Sequence, residues 1–290
     1  MVLKNRSLDE KFGLAITVGS IPFWLIVIYY AYSQMMPRAQ YGVAFLGGML
    51  ILYILEQYRQ ELESEHIYER VALILSSIIV VVTTFYIFLN FDVLYIERSG
   101  FALGYEYVLA AAFTLMMIYL TWRSFGVTFL AVLLIGIGYG LFGNYIPGVL
   151  SHGGVSGGRI LRILVLEFSG FYGSLNRLIA AWVALFFLYA GLLRGYGAFD
   201  LIIRLAVRSA KYVDSGVAQT AVISSAIIGS INGSQTANAG MTGSFTIPMM
   251  KDNGIRGETA GAIEAVASSI GQVLPPVMGA AAFIMASLVT

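Results

Sequence analysis

Residues 215–250 carry no charged side chain, yet they do not read as a lipid-facing run. Within them, IIGSINGSQTANAGMTGSFTIPM (residues 227–249) sets Ser230, Asn232, Ser234, Gln235, Thr236, Asn238, Thr242, Ser244 and Thr246 among glycines and alanines, between apolar flanks. The stretch is too polar to face acyl chains and too enclosed by apolar sequence to be a soluble loop. Irregular backbone at membrane depth is tolerated only where it is buried in protein or lines a cavity. The pattern therefore predicts a re-entrant helical hairpin in the region 217–250, with a binding site at its tip.

The rest of the chain supplies the membrane context. It is 58% hydrophobic and 11% charged, with mean hydropathy +0.81, where a soluble domain is about 25% charged. A net charge of +1 leaves no basic face for nucleic acid. Cysteine is absent, which excludes disulfides, thiolate metal sites and a cysteine nucleophile. The two histidines, His66 and His152, sit in separate polar connections and offer no metal cluster or proton relay.

A spanning helix needs about 20 mostly apolar residues. Residues 14–32, 39–55, 71–91, 105–122, 126–146 and 175–193 qualify, and no cleavage site follows the first, so it reads as a span rather than a signal peptide. With the N-terminus inside, twelve Lys and Arg fall on the cytoplasmic side and five on the other, which favours that orientation. Lys211 and Lys251 then flank the hairpin on one side, and the 39 residues between them suffice for two half-length legs and a tip. Residues 198–213 show an amphipathic pattern, with Arg204, Arg208 and Lys211 on one face, that suits an interfacial helix. Residues 154–173 read as a second interfacial or re-entrant piece. The charged run 56–70 reads as a solvated cytoplasmic connection. The polar intramembrane features all come after Trp122, which divides the chain into a scaffold, 1–122, and a working part, 123–290.

A second broken element follows the hairpin. AVASSIGQVLPPVMGAAAFIMASLVT (residues 265–290) is apolar enough to span but contains Gly271, Gln272, Pro275 and Pro276. Proline removes a donor and clashes with the carbonyl four residues back, so the helix is expected to break there and free the carbonyls of residues 269–273. Discontinuous helices of this kind are where transporters hold substrates and coupling ions. Glu264 lies more than a turn inside this helix. An ionisable residue at that depth is a functional hypothesis by default, though a salt bridge or reach to the cytoplasmic face explains it equally well.

The strings TGSFTIP (residues 242–248) and GQVLPPVMGAAAFIMA (residues 271–286) resemble the large membrane subunit of TRAP transporters, and the fused permeases of the TAXI type in particular. The likeness runs from about Arg123 to the end. Residues 1–122 resemble the small four-helix subunit in the count and order of spans. The resemblance implies an all-α polytopic membrane protein of the cell inner membrane: scaffold helices followed by the first inverted repeat of an elevator-type transporter. It implies Na⁺-coupled import of organic acids delivered by an extracytoplasmic binding protein, with no cofactor. It places Na⁺ at Ser230, Asn232 and Ser234 on the tip, and at the carbonyls of Gly271, Val273 and Pro275. It sets the first hairpin at residues 219–250 with its tip near residues 232–238, and gives Thr236, Asn238, Thr242 and Gln272 to the substrate, in direct contact or through a neighbouring side chain. A permease of this kind is expected to continue into a second repeat, so the C-terminal half of the permease counts among the partners. Proton coupling is a variant that would use Glu264, and a non-transporting membrane scaffold is the alternative from another class. An intramembrane enzyme has little support, because no H-E-x-x-H, no G-x-S-x-G and no paired intramembrane Asp are present.

Overall fold

The computed structural model describes residues 2–63, 67–197, 201, 204, 216–275 and 278–289, and no strand occurs among them. They fall into two compact units, Met1–Ala180 and Ala181–Thr290. Residues 198–213, expected to form an interfacial helix, lie outside the described residues apart from Leu201 and Arg204.

Unit 1 begins with α1 (Val2–Ser33), α2 (Arg38–Gln60) and α3 (Ile67–Leu89). Its core gathers Val43, Ile54, Leu73, Val80, Ile87 and Phe113, each 1% exposed or less. The helices approach closely where side chains are small. A Cβ at Gly47 of α2 would come 2.4 Å from the Thr84 side chain of α3, so glycine sets that crossing. The outward faces carry exposed Leu14, Ile21, Leu25, Leu75, Phe85 and Leu115. Contiguous apolar surface of this extent suits a bilayer.

Next comes α4 (Gly104–Phe142), broken at Gly126, where φ is 74° and ψ is −170°. A straight rod from Tyr107 to Gly140 would be about 50 Å long at 1.5 Å per residue. Yet both ends meet one short segment: a Cβ at Gly158 would lie 3.3 Å from the Tyr107 ring, and one at Gly140 lies 3.4 Å from Ile160. The helix therefore doubles back at Gly126. Among the described residues five helices are long and apolar enough to cross a membrane, with Gly104–Tyr145 counted as one. Its two halves are the fourth and fifth spans read from the sequence.

Within residues 154–173, read as an interfacial or re-entrant piece, the second half packs inward while Ser156, Gly157 and Arg159 stay exposed. A short helix, α5 (Gly157–Leu161), and a π turn over Arg162–Leu166 lead into a reversal with Phe168 at φ 56°. Val165, Leu166, Phe168 and Tyr172 join the unit 1 core.

Charged residues close both ends of the bundle. At one end Arg123 pairs with Glu61 and, at 2.6 Å, with Glu69, while Arg70 donates to the Glu61 carbonyl at 3.0 Å. The run 56–70 is thus tied down by an arginine from α4, where the sequence suggested a solvated connection. At the other end the fully buried Glu106 accepts from Tyr86, from Arg98 at 2.9 Å and from the Leu103 amide. Those bonds to Glu106, first of all, raise the Arg98 guanidinium above its ordinary pKa.

The path continues through α6 (Ser174–Leu178), a π turn over Ile179–Val183, and α7 (Ala184–Gly195). Unit 2 then holds α8 (Gly216–Asn232), α9 (Gln235–Asp252), α10 (Gly257–Ser269) and α11 (Ala280–Val289).

Candidate functional site in the hairpin unit

The sequence of α8 and α9 folds as a helical hairpin because Gly233 and Ser234 punctuate it. Gly233 has φ 62°, a left-handed value that glycine adopts freely. Its amide donates to the Gly229 carbonyl at 2.9 Å, closing α8. Ser234 starts α9 as its N-cap, its Oγ accepting from the Ala237 amide at 3.3 Å, the ordinary role of serine there. The tip therefore falls inside the expected 232–238.

The broken helix also forms. α10 tightens into a 3₁₀ turn over Ile270–Gln272 and the helix stops. Met278 is left-handed at φ 55°, and α11 restarts at Ala280. Two of the carbonyls expected to be free are taken: Ile270 O accepts from the Val273 amide at 3.0 Å, and Gln272 O from the Gly279 amide at 2.8 Å.

The break lies against the tip. A Cβ at Gly229 would stand 2.6 Å from the Gly271 Cα, and one at Gly279 would stand 3.1 Å from the Gly233 carbonyl oxygen. Four helix ends thus meet: the ends of α8 and of the 3₁₀ turn, and the starts of α9 and α11.

Below the tip the three packed helices α8, α9 and α10 enclose a polar layer. Glu264 is 2% exposed. Its Oε1 accepts from Ser225 Oγ and Ser268 Oγ, each at 2.8 Å, and from Thr242 Oγ1. Its Oε2 accepts from Thr246 Oγ1 at 2.6 Å. Among the described residues no cationic side chain forms an ion pair with it. Removing a carboxylate from water costs several kcal/mol, and hydrogen bonds to a charged group return about 1.5–3 kcal/mol each. Four hydroxyls are placed to supply such bonds, and none of them is charged. Asn238 caps the layer, its Nδ2 donating to the Ser225 carbonyl at 2.8 Å. Beneath it Ala221, Met250 and Ala260 form a small apolar base.

The residues expected to bind ligands separate into two groups. Ser230, Asn232 and Ser234 cluster at the tip, and Gly271, Val273 and Pro275 in the break. Ser230 Oγ donates to the Ile227 carbonyl at 2.8 Å, Gly271 is buried at the crossing, and Val273 and Pro275 are exposed. Thr236 is exposed and Gln272 half-buried. Asn238 and Thr242, expected to act on substrate directly or through a neighbour, are fully buried and turned to Ser225 and Glu264. The reason is helical period: residues 238, 242 and 246 share the face of α9 that packs on α8 and α10. The sequence reading did not place Ser225, Thr246 and Ser268 around Glu264. Part of the signal was present, since 242 and 246, like 264 and 268, stand four apart.

A family model described as "Tripartite ATP-independent periplasmic transporter, DctM component" matches residues 113–290, more than half of the chain and all of the hairpin unit. No curated protein and no solved structure matches it. With spanning helices, a polar-tipped hairpin and a broken helix all inside or beside the matched region, the chain belongs to the family of DctM components of tripartite ATP-independent periplasmic transporters.

Proposed function

We propose that the chain is the membrane permease part of a secondary importer of organic acids, coupled to Na⁺ and fed by an extracytoplasmic binding protein. The meeting of four helix ends around Gly233 and Gly279 carries this reading. Helix C-terminal ends hold partial negative charge and favour cations, and N-terminal ends favour anions. A cation and a carboxylate therefore find complementary ends in one place, beside a hairpin, residues 216–252, that contains no arginine. Na⁺ is assigned to Ser230, Asn232 and Ser234 with the carbonyls of Gly271, Val273 and Pro275. Thr236 and Gln272 remain for substrate, while Asn238 and Thr242 serve the Glu264 layer.

In the same reading residues 1–122 are the scaffold of a TAXI-type fused permease, and 123–290 hold the first repeat of an elevator. A second repeat supplies the other half of the cavity. The chain is multi-pass in the inner membrane with its N-terminus cytoplasmic. The gathering of Arg70 and Arg123 at one end of unit 1 supports that orientation.

The test is uptake of radiolabelled mono- and dicarboxylates by proteoliposomes holding the complete permease, with its binding protein, in Na⁺ or in K⁺ medium. Accumulation is expected to need both Na⁺ and the binding protein. Uptake indifferent to Na⁺ refutes the coupling, and uptake without the binding protein refutes the tripartite arrangement. Full activity in Asn232→Ala and Ser234→Ala favours a hairpin that only packs.

A further inference from the structure

We propose that Glu264 is a reversible proton-binding site, separate from the ion position at the hairpin tip. The proton's part in transport rests on the function proposed above, whereas its binding does not.

The hydroxyl protons around Glu264 can serve either charge state. Each hydroxyl has one proton to donate, and three of the four around Glu264 have a second acceptor within reach. Thr246 Oγ1 lies 2.6 Å from Glu264 Oε2 and 2.8 Å from the Thr242 carbonyl. Thr242 Oγ1 contacts Glu264 Oε1 and lies 2.8 Å from the Asn238 carbonyl. Ser225 Oγ lies 2.8 Å from Glu264 Oε1 and 3.0 Å from Thr242 Oγ1. When Glu264 is ionised, all four hydroxyls turn toward it and replace its lost hydration. When hydronium gives a proton to Oε2, a water molecule leaves and the new O–H donates to Thr246 Oγ1. The Thr246 proton then swings to the Thr242 carbonyl. No buried group loses its partner in either state, which is the condition for a carboxyl to change charge without opening the packing.

The surroundings suit the same role. α8 and the 3₁₀ turn over Ile270–Gln272 contain no titratable side chain. α9 has only Lys251 and Asp252 in its last turn, and α10 has only Glu258 besides Glu264. Glu258 is exposed and pairs with Arg256 at 3.4 Å. A proton on Glu264 thus changes the charge of a layer that has no other. In that layer Asn238 Oδ1 is buried with no donor, an acceptor left over next to the groups that turn.

Infrared difference spectra of the complete chain in lipid nanodiscs, acid minus alkaline, test this with no substrate. A protonated-acid C=O band is expected, absent in Glu264→Gln and moved in Thr246→Val, which removes the partner of Oε2. Superimposable wild-type and Glu264→Gln spectra, over the whole pH range in which the protein stays folded, overturn the proposal. If Glu264→Gln does not fold, Thr246→Val and Ser268→Ala decide, and an unmoved band in both overturns it. In the uptake assay above, Glu264→Gln is expected to lose the drive from an acid-outside pH gradient, and a wild-type pH profile overturns the proton's part in transport. A Glu264 band without uptake under any gradient would sink the transporter reading and leave the proton site standing.

Discussion

Gly229→Ala is the sharpest probe of the crossing between the hairpin and the break. The added Cβ would sit 2.6 Å from the Gly271 Cα and 2.8 Å from Asn238 Nδ2. Ordinary carbon contacts lie near 3.5–4.0 Å, so one backbone must retreat by about 1 Å. Neither obstacle is the loose end of a flexible side chain: one is backbone, and the other is an amide held by the Ser225 carbonyl. Overpacking of this kind costs about 1–3 kcal/mol, and the upper half of that range applies. Alanine in mid-helix returns roughly 0.5–1 kcal/mol. The net loss is then about 1–2.5 kcal/mol, a factor of roughly 5–70 in the folded population. Gly240→Ala and Gly261→Ala are the controls, because a Cβ at either meets nothing within 4 Å. Unfolding by SDS, followed by fluorescence, should rank Gly229→Ala below wild type and both controls at or above it. Gly271→Ala should resemble Gly229→Ala, and the double variant should lose less than the sum because the two share one contact. If Gly229→Ala unfolds at the same SDS fraction as Gly240→Ala, the crossing is loose and glycine does not set it.

Other perturbations follow from the same geometry. Arg98→Met strips two hydrogen bonds from the fully buried Glu106. The buried carboxylate then loses its charged partner, so a lower unfolding midpoint is expected in the SDS titration, and an unchanged midpoint refutes a structural part for the pair. Arg123→Ala leaves Glu61 and Glu69 facing each other and should destabilise unit 1, and Arg123→Lys should restore only part because an ammonium lacks the fork that spans both carboxylates. The chain has no native cysteine, so single-cysteine labelling reads clean. Thr236→Cys at the exposed tip should react quickly with a water-soluble maleimide and Asn238→Cys only slowly, and equal rates would place the Glu264 layer in open water.

Much of this arrangement was legible in the sequence, for local reasons. Gly233-Ser234 and Gly271-Gln272 interrupt apolar runs, and interruption is a property of neighbours along the chain. Glycine at 126 likewise separates two spans that the structure joins into one bent helix. Distant partners were not legible. Nothing in the charged run 56–70 announces that Arg123 will bind two of its carboxylates. Thr242 looked available to substrate because polarity along a strand of text does not say which side of a helix meets two others. Glu264 was marked by its depth alone, and its four hydroxyl partners come from three helices whose mutual rotation only the packing fixes.

The break at Gly126 has a consequence for biogenesis. Its φ of 74° is one that a residue with a side chain rarely adopts, and a Cβ there would meet nothing within 4 Å, so backbone conformation alone makes the position restrictive. A ribosome delivering residues 104–142 without that bend would present a continuous rod about 58 Å long, close to twice the hydrocarbon thickness of about 30 Å. With the bend, the insertion machinery receives two short rods that can enter lipid as a pair. The face of the membrane on which the His152 loop emerges is therefore decided by one residue that has no side chain at all.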